Sequence, residues 1–229
     1  LLVYGKLKSK LLKDKRLYDV YTNIEIKLML IIAEMEYLGV SIDNKELDKQ
    51  SNNLKKRIEK IEKQIYGISG REFNISSPKQ IQEIFYDELK LPVLKKTPKG
   101  QPSTNEDVMT QLAEDHELPS LILSFRNLLK LKNTYTDKLG VQVSSISKRL
   151  HTSYNQTITI TGRLSSSSPN LQNIPIRTSD GKKIRSAFIP RQGFKLFSAD
   201  YSQIELRIMA HLSDDSEMIK SFVDGEDIH

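Results

Sequence analysis

An acidic residue, Asp200, stands behind a short apolar run of Phe194, Leu196 and Phe197. It stands ahead of a helical pattern of Ile204, Leu206, Ile208, Met209 and Leu212. A strand that ends in an acid and turns into a helix holds a carboxylate oxygen on rigid backbone, one half of a two-metal site for phosphoryl transfer. An aspartate in that position is also an ordinary helix cap, and the spacing alone does not separate the two. Upstream, Thr161-Gly-Arg-Leu-Ser165 follows an alternating stretch, and Pro169-Asn-Leu-Gln-Asn-Ile-Pro175 follows a run of serines. Gly162 lets backbone come close to a ligand, and Arg163 projects five donors beside it. Asn170, Gln172 and Asn173 add donors and acceptors suited to base edges, sugars and phosphates, although Asn and Pro also build plain polar turns. His116, His151 and His211 lack metal-ligand spacing and read as structural.

The elements that must position these residues change character along the chain. From Asn23, Ile24, Leu28, Ile31, Met35 and Leu38 recur at helical spacing, and Gly39 supplies a stop. Asp43 and Glu46 read as a capping box for a long helix. Its stripe is Leu47, Leu54, Ile58, Ile61 and Ile65, with Lys49, Lys55, Lys56, Arg57, Lys60 and Lys63 elsewhere. Such a basic face is either simply solvated or laid along a nucleic-acid backbone. Residues 67–77 read as a loop. Ser77-Pro-Lys-Gln80 then offers an N-cap, a proline at the first helical position and a capping-box glutamine ahead of Ile81, Ile84, Phe85 and Leu89. Residues 95–102 form a basic Pro/Gly loop, and Ser103 with Glu106 begins a short helix. A longer helix over 118–139 carries an apolar stripe of Leu121, Phe125, Leu128, Leu131 or Lys132, and Tyr135. Its polar stripe is Arg126, Lys130, Asn133 and Asp137. Residues 150–160 alternate like a strand, and 184–189 and 194–197 read as further short strands. A helical first part is thus followed by the beginning of a sheet.

Composition bounds the reading. The 229 residues carry 28% charged and 38% hydrophobic side chains, which suits a globular protein with a real core. There is no cysteine, which excludes disulfides, thiolate metal sites and thiol chemistry. The net charge of +6 favours a polyanionic partner only weakly. The longest apolar run, Leu28 to Ala33, falls short of the ~18 residues that read as a membrane span, and no signal peptide is visible. The chain starts without methionine and reads as a piece of something longer, with residues 1–20 as a lysine-rich connector.

Over essentially its whole length the sequence resembles the DNA polymerases of family A, of the bacterial polymerase I type. The resemblance rests on Ser76-Ser-Pro-Lys-Gln80, Lys96-Thr-Pro98, Tyr135-Thr-Asp-Lys-Leu139, His151-Thr-Ser-Tyr154, Thr161 to Ser165, Pro169 to Pro175 and Asp200 to Leu212. The octapeptide Asp-Tyr-Ser-Gln-Ile-Glu-Leu-Arg is its most specific part. The resemblance implies an α+β chain: a helical thumb region with a flanking palm helix over 21–148, then the first strands and helix of an antiparallel-sheet palm over 149–229. It implies a DNA-directed DNA polymerase that adds deoxynucleotides to a primer 3′-hydroxyl with two Mg²⁺ ions, in replication or repair. Asp200 would hold both ions, and the backbone carbonyl of Tyr201 would help with one. Glu205 would exclude a ribose 2′-hydroxyl, and Gln203, Glu205 and His229 would line the nucleotide site. Arg163 would check the minor groove of the primer-terminal pair. Arg126 and Lys130 would contact the DNA backbone, while Asn170, Gln172 and Asn173 support the duplex. In the family a second catalytic aspartate and the fingers helix lie further downstream, so these residues alone are expected to be inactive. The partners implied are primer-template DNA and deoxynucleoside triphosphates, with no membrane, acting as a monomer. The expected location is the bacterial cytoplasm, with organelle and phage left open. Two other readings stand beside this one: a duplex-binding module without catalysis, and a helical interaction protein whose motifs are coincidental.

Overall fold

Asp43 starts the longest element: its carboxylate accepts the Glu46 amide at 3.1 Å and caps a 26-residue helix, α4 (Asn44–Ser69). The reciprocal half of the expected box is not made. The Asp43 amide bonds Ala187 O at 2.8 Å, and Glu46 turns to Gln50 and Lys49 instead. The computed structural model describes residues 2–226 of the chain. Before α4 come α1 (Leu2–Leu11), α2 (Lys15–Val20), a π turn (Tyr21–Glu25), α3 (Ile26–Leu38) and a two-residue strand, β1 (Ser41–Ile42). After it come α5 (Pro78–Gln82) with a second π turn (Glu83–Glu88), then α6 (Glu106–Leu112) and α7 (Glu117–Leu131). A third π turn (Lys132–Thr136) leads into α8 (Asp137–Val141). The strands β2 (Ser153–Asn155) and β3 (Ser165–Ser167), α9 (Ser179–Ser186) and β4 (Phe188–Ile189) follow. The last helices are α10 (Ile204–Ser213) and α11 (Ser216–Val223). The fold class is α+β.

The chain divides into two compact units, Leu1–Arg191 and Gln192–His229. The first holds two adjoining cores. One is helical, gathering Leu54, Ile58 and Ile65 of α4, Ile81, Ile84 and Phe85, Val108 and Met109 of α6, and Ile122, Phe125 and Leu128 of α7. Each such side chain contributes about 1.5–3 kcal/mol when withdrawn from water. The other joins Leu47, Tyr135 and Leu139 to Leu150, Ile184 and Ala187. Two small antiparallel sheets border it. β1 pairs with β4 (Ser41 opposite Ile189), and β2 with β3 (Tyr154 opposite Ser166). Long-range polar ties lock the same region: Gln50 Nε2 donates to Lys183 O at 2.8 Å, and Arg57 meets Asp180 at 2.7 Å.

Several expected elements are shorter or different. The residues foreseen as a connector form α1 and α2, capped at Asp14, whose carboxylate accepts from Arg16 and Leu17 amides. The short helix foreseen at Ser103 begins later, with Asn105 as its cap on the Val108 amide. The strand over 150–160 is confined to Ser153–Asn155, because the Asn155 carboxamide oxygen accepts the Thr157 amide and hydroxyl at 2.8 and 2.9 Å and turns the chain. Ile158 and Ile160 are exposed. Residues expected as a strand over 184–189 end a helix instead. Thr178 Oγ1 accepts the Gly181 amide at 3.1 Å, α9 runs to Ser186, and only Phe188–Ile189 is extended. In α3, Ile32 is the buried residue while Ile31, Met35 and Leu38 are exposed, as is Ile24 in the π turn before it. That segment is apolar all round, so periodicity does not choose a face.

Gly39 ends α3 where no other residue fits. Its φ of 59° and ψ of −173° fall in a region that is essentially glycine's own, and a Cβ there would sit 2.6 Å from Leu150 O and 2.8 Å from the His151 ring. Gly39→Ala is expected to destabilise the first unit by about 1–3 kcal/mol from backbone strain alone. Denaturant unfolding monitored by circular dichroism measures this, and an unchanged midpoint would count against it.

Candidate nucleic-acid interface

The helical run from Glu117 to Val141 carries one wall of the site. Leu118, Ile122, Phe125, Leu128, Tyr135 and Leu139 face the cores, which leaves Lys130 exposed. Within the π turn the Asp137 amide bonds back to Lys132 O, one residue further than in an α-helix. Asp137 meets Lys132 Nζ and Ser51 Oγ, both at 2.6 Å. Burial pushes its carboxyl up, but these bonds outweigh that and hold it below the usual range. Tyr135 is buried, which pushes its phenol up and keeps it protonated. Its hydroxyl donates to the carbonyl of Asn173.

The opposite wall is the segment after β3. Here Gln172 braces its own loop, with its amide on Asn170 Oδ1 at 3.0 Å and its side-chain Nε2 on Leu164 O at 2.9 Å. Between the walls lies a cavity of about 490 Å³, lined in part by Lys130, Thr134, Lys138, Gln142, Asn170 and Asn173. Two lysines and no carboxylate line it, so its field is positive. Residues some forty positions apart in sequence thus converge on one surface.

Other expected contacts lie elsewhere. Arg126 turns inward: its Nη1 donates to Thr104 O at 3.1 Å and reaches Met109 Sδ at 3.4 Å. Burial lowers its pKa, with Glu106 pulling the other way. In this position Arg126 pins the start of α6 to α7. Gln172 is exposed but lies outside the cavity lining. Arg163 is exposed, and its carbonyl accepts the Thr159 hydroxyl. Gly162 before it has φ 76° and open space around the missing Cβ, so backbone conformation rather than crowding selects glycine. Lys138, Thr134 and Gln142 were missed. Their spacing of four from Lys130 was the available signal, obscured by a stripe drawn through Asn133 and Asp137.

In the second unit the expected strand before Asp200 is absent. Residues 194–200 are irregular, and Phe197 is 89% exposed. An apolar run becomes a strand only when its backbone finds a partner, and among the described residues no strand pairs with this run. Asp200 and Tyr201 are exposed. Gln203 adopts the left-handed conformation (φ 52°) and opens α10, which places Glu205 in the first turn, where the helix dipole favours a carboxylate. Ile204, Ile208, Met209 and Leu212, expected to be covered, are exposed, and Ala210 is the buried residue of α10. Arg207 stabilises the turn, donating to Ser202 O at 2.9 Å with its guanidinium 4.5 Å from the Phe222 ring centroid. His229 lies outside the described residues.

Asp200 and the Tyr201 carbonyl offer hard oxygen donors of the type Mg²⁺ takes. Among the described residues no group of three or more His, Cys, Asp or Glu is placed to hold an ion. No described helix is long and apolar enough to cross a membrane.

These features define an α+β chain with a cationic, amide-lined groove matched to a polyanion. The chain belongs to DNA polymerase family A, whose family model matches residues 44–229. It is 50% identical over 228 residues to the DNA polymerase I of Pseudomonas aeruginosa, covering 99% of this chain and 25% of that protein. It is 44% identical to the thermostable DNA polymerase I of Thermus thermophilus, covering 99% of this chain and 27% of that protein. Among solved structures, the POL domain of Pol1 from M. smegmatis, in complex with DNA primer-template and dNTP, superposes with a TM-score of 0.84 at 40% identity. That match covers 92% of this chain and 37% of that domain's chain. The chain therefore spans about a quarter of the length of the curated relatives it matches.

Proposed function

We propose that this chain is the thumb and first palm portion of a DNA-directed DNA polymerase, and that the groove between α7–α8 and residues 168–173 grips primer-template duplex. The observation that carries the reading is the convergence of Lys130, Asn170 and Asn173 on one cationic cavity. The lysines would meet phosphates, while the asparagine amides reach sugars and base edges. Arg163 would donate to the minor-groove acceptors of the primer-terminal pair, which occupy similar places in every Watson–Crick pair. Asp200 and the Tyr201 carbonyl would hold Mg²⁺, which when bound acidifies the primer 3′-hydroxyl and neutralises charge on the triphosphate. Glu205 would reject a ribose 2′-hydroxyl by steric and electrostatic conflict, selecting deoxynucleotides. Gln203 and His229 would complete the nucleotide site. Residues 1–20 would lead in from a preceding domain, and the protein would act as a cytoplasmic monomer. With a partial metal shell, the 229 residues by themselves would bind duplex without extending it.

Lys130→Ala tests the groove. Each phosphate neutralised releases counterions, so removing one lysine contact is expected to lower the slope of log Kd against log salt by about one. Fluorescence anisotropy of a labelled duplex over a salt series reads the slope. An unchanged slope would remove Lys130 from the interface, and salt-independent binding would overturn the groove reading altogether.

A further inference from the structure

Six polar residues are buried in the chain as described, and two of them, Thr152 at 7% and Ser166 at 4% exposure, sit together beneath the Asn170–Asn173 segment. Their hydroxyl oxygens are 2.7 Å apart. Thr152 Oγ1 is also 2.7 Å from Pro169 O, and Ser166 Oγ accepts the Leu171 amide at 3.1 Å. Each hydroxyl has one proton to give. Only one arrangement uses both short contacts: Leu171 N–H donates to Ser166, Ser166 donates to Thr152, and Thr152 donates to Pro169 O. The chain of bonds is closed, and it holds the backbone on both sides of Asn170. A third hydroxyl, that of Tyr135, holds the carbonyl of Asn173. The backbone is thus fixed at 169, 171 and 173 while the residues that line the groove, Asn170 and Asn173, stand between and beside these anchors.

We infer that the buried Thr152–Ser166 hydroxyl pair positions the Asn170–Asn173 segment for duplex binding, an inference that rests on the groove reading above. The pair touches no ligand. Its effect is to spare the loop the cost of ordering when DNA arrives, because the amides are already held at their working geometry. A buried hydroxyl pair does this better than apolar packing, since each bond fixes one backbone atom in direction as well as distance. Removing the Thr152 hydroxyl leaves Pro169 O with only the longer 3.2 Å contact from Ser166 Oγ and takes away the shorter of its two bonds, which loosens the segment.

The test compares Thr152→Val, which keeps the shape but not the hydroxyl, with Thr152→Ser, which keeps the hydroxyl. Both are made in the 229-residue chain and in its Asn170→Ala/Asn173→Ala variant, with labelled primer-template duplex as the probe. Thr152→Val is expected to weaken binding about tenfold, as ordering two side chains on binding would. Its salt slope should stay unchanged because no phosphate contact is lost, and Thr152→Ser should bind as the parent does. In the double-asparagine background Thr152→Val should add nothing further. Parent-like binding by Thr152→Val, equal weakening by Thr152→Ser, or a full additional loss in the double-asparagine background would each overturn the positioning role. If the double-asparagine variant itself binds as tightly as the parent, the groove reading fails and this inference with it. Should Thr152→Val not fold, Ser166→Ala takes its place. Hydrogen exchange at the Leu171 amide in the unaltered chain gives a second measurement. Slow exchange is expected for a donor to a buried hydroxyl, and exchange at the rate of an open loop would overturn the proposal.

Discussion

Asp200→Ala, placed in a polymerase of the relatives' full length that carries this segment, is expected to lower primer extension by about a thousandfold or more. A carboxylate that holds metal supplies several kcal/mol of transition-state charge stabilisation, and each 1.36 kcal/mol is a factor of ten in rate. Affinity for primer-template should change little, for two reasons. The groove residues Lys130, Asn170 and Asn173 belong to the other compact unit. Asp200 is itself exposed, so truncating it removes little buried surface. Single-turnover extension and duplex anisotropy, measured on the same preparation, separate the two effects. Lost binding would make Asp200 a structural residue, and near-normal extension would remove it from the metal site.

The second large effect concerns stability. Phe85 is fully buried in the helical core and lies edge-on to Tyr86, with ring centroids 6.2 Å apart and planes at 79°. Tyr86 in turn donates to Ser103 O at 2.6 Å, which ties this core to the turn before α6. Phe85→Ala removes the ring from the helical core and leaves a cavity that close packing cannot fill. Such truncations cost about 3–5 kcal/mol, a large share of the ~5–15 kcal/mol that holds a domain folded. Urea unfolding should show a midpoint drop with little change in slope. A loss below about 1 kcal/mol would mean that neighbouring helices collapse onto the gap.

The helices were legible where an amphipathic stripe and a cap agreed. Leu47, Leu54, Ile58 and Ile65 behind Asp43, and Ile81, Ile84 and Phe85 behind Ser77, are buried as their spacing implied. Leu89 escaped that pattern because the π turn before it shifts the face, and it is exposed. The strands were poorly legible, since an alternating or apolar run announces a face to cover and not a partner to pair with. Thus 150–160 shrank to three residues and 194–197 formed no strand at all. The site was half legible. The type of residue pointed to Lys130, Asn170 and Asn173, but nothing local distinguishes them from Arg126, whose guanidinium is committed to Thr104 and Met109. The buried hydroxyls of Thr152 and Ser166 were invisible, because serine and threonine in a polar loop look alike whether they face water or each other.

The extra residue accommodated between Lys132 and Asp137 has a bearing on how this segment is matched to others. Residues four apart on an α-helix advance by about 40° around the axis beyond a full turn. From Lys130 through Thr134 and Lys138 to Gln142 an unbroken helix would therefore drift by about 120°, too far for one groove to hold both ends. A π turn winds more slowly and takes back part of that drift. The four residues stay in line because the helix is locally unwound, so their common phase belongs to the turn as much as to their spacing. An alignment that slides one residue past 132–136 would put different side chains in line with Lys130, even where every letter around it matched.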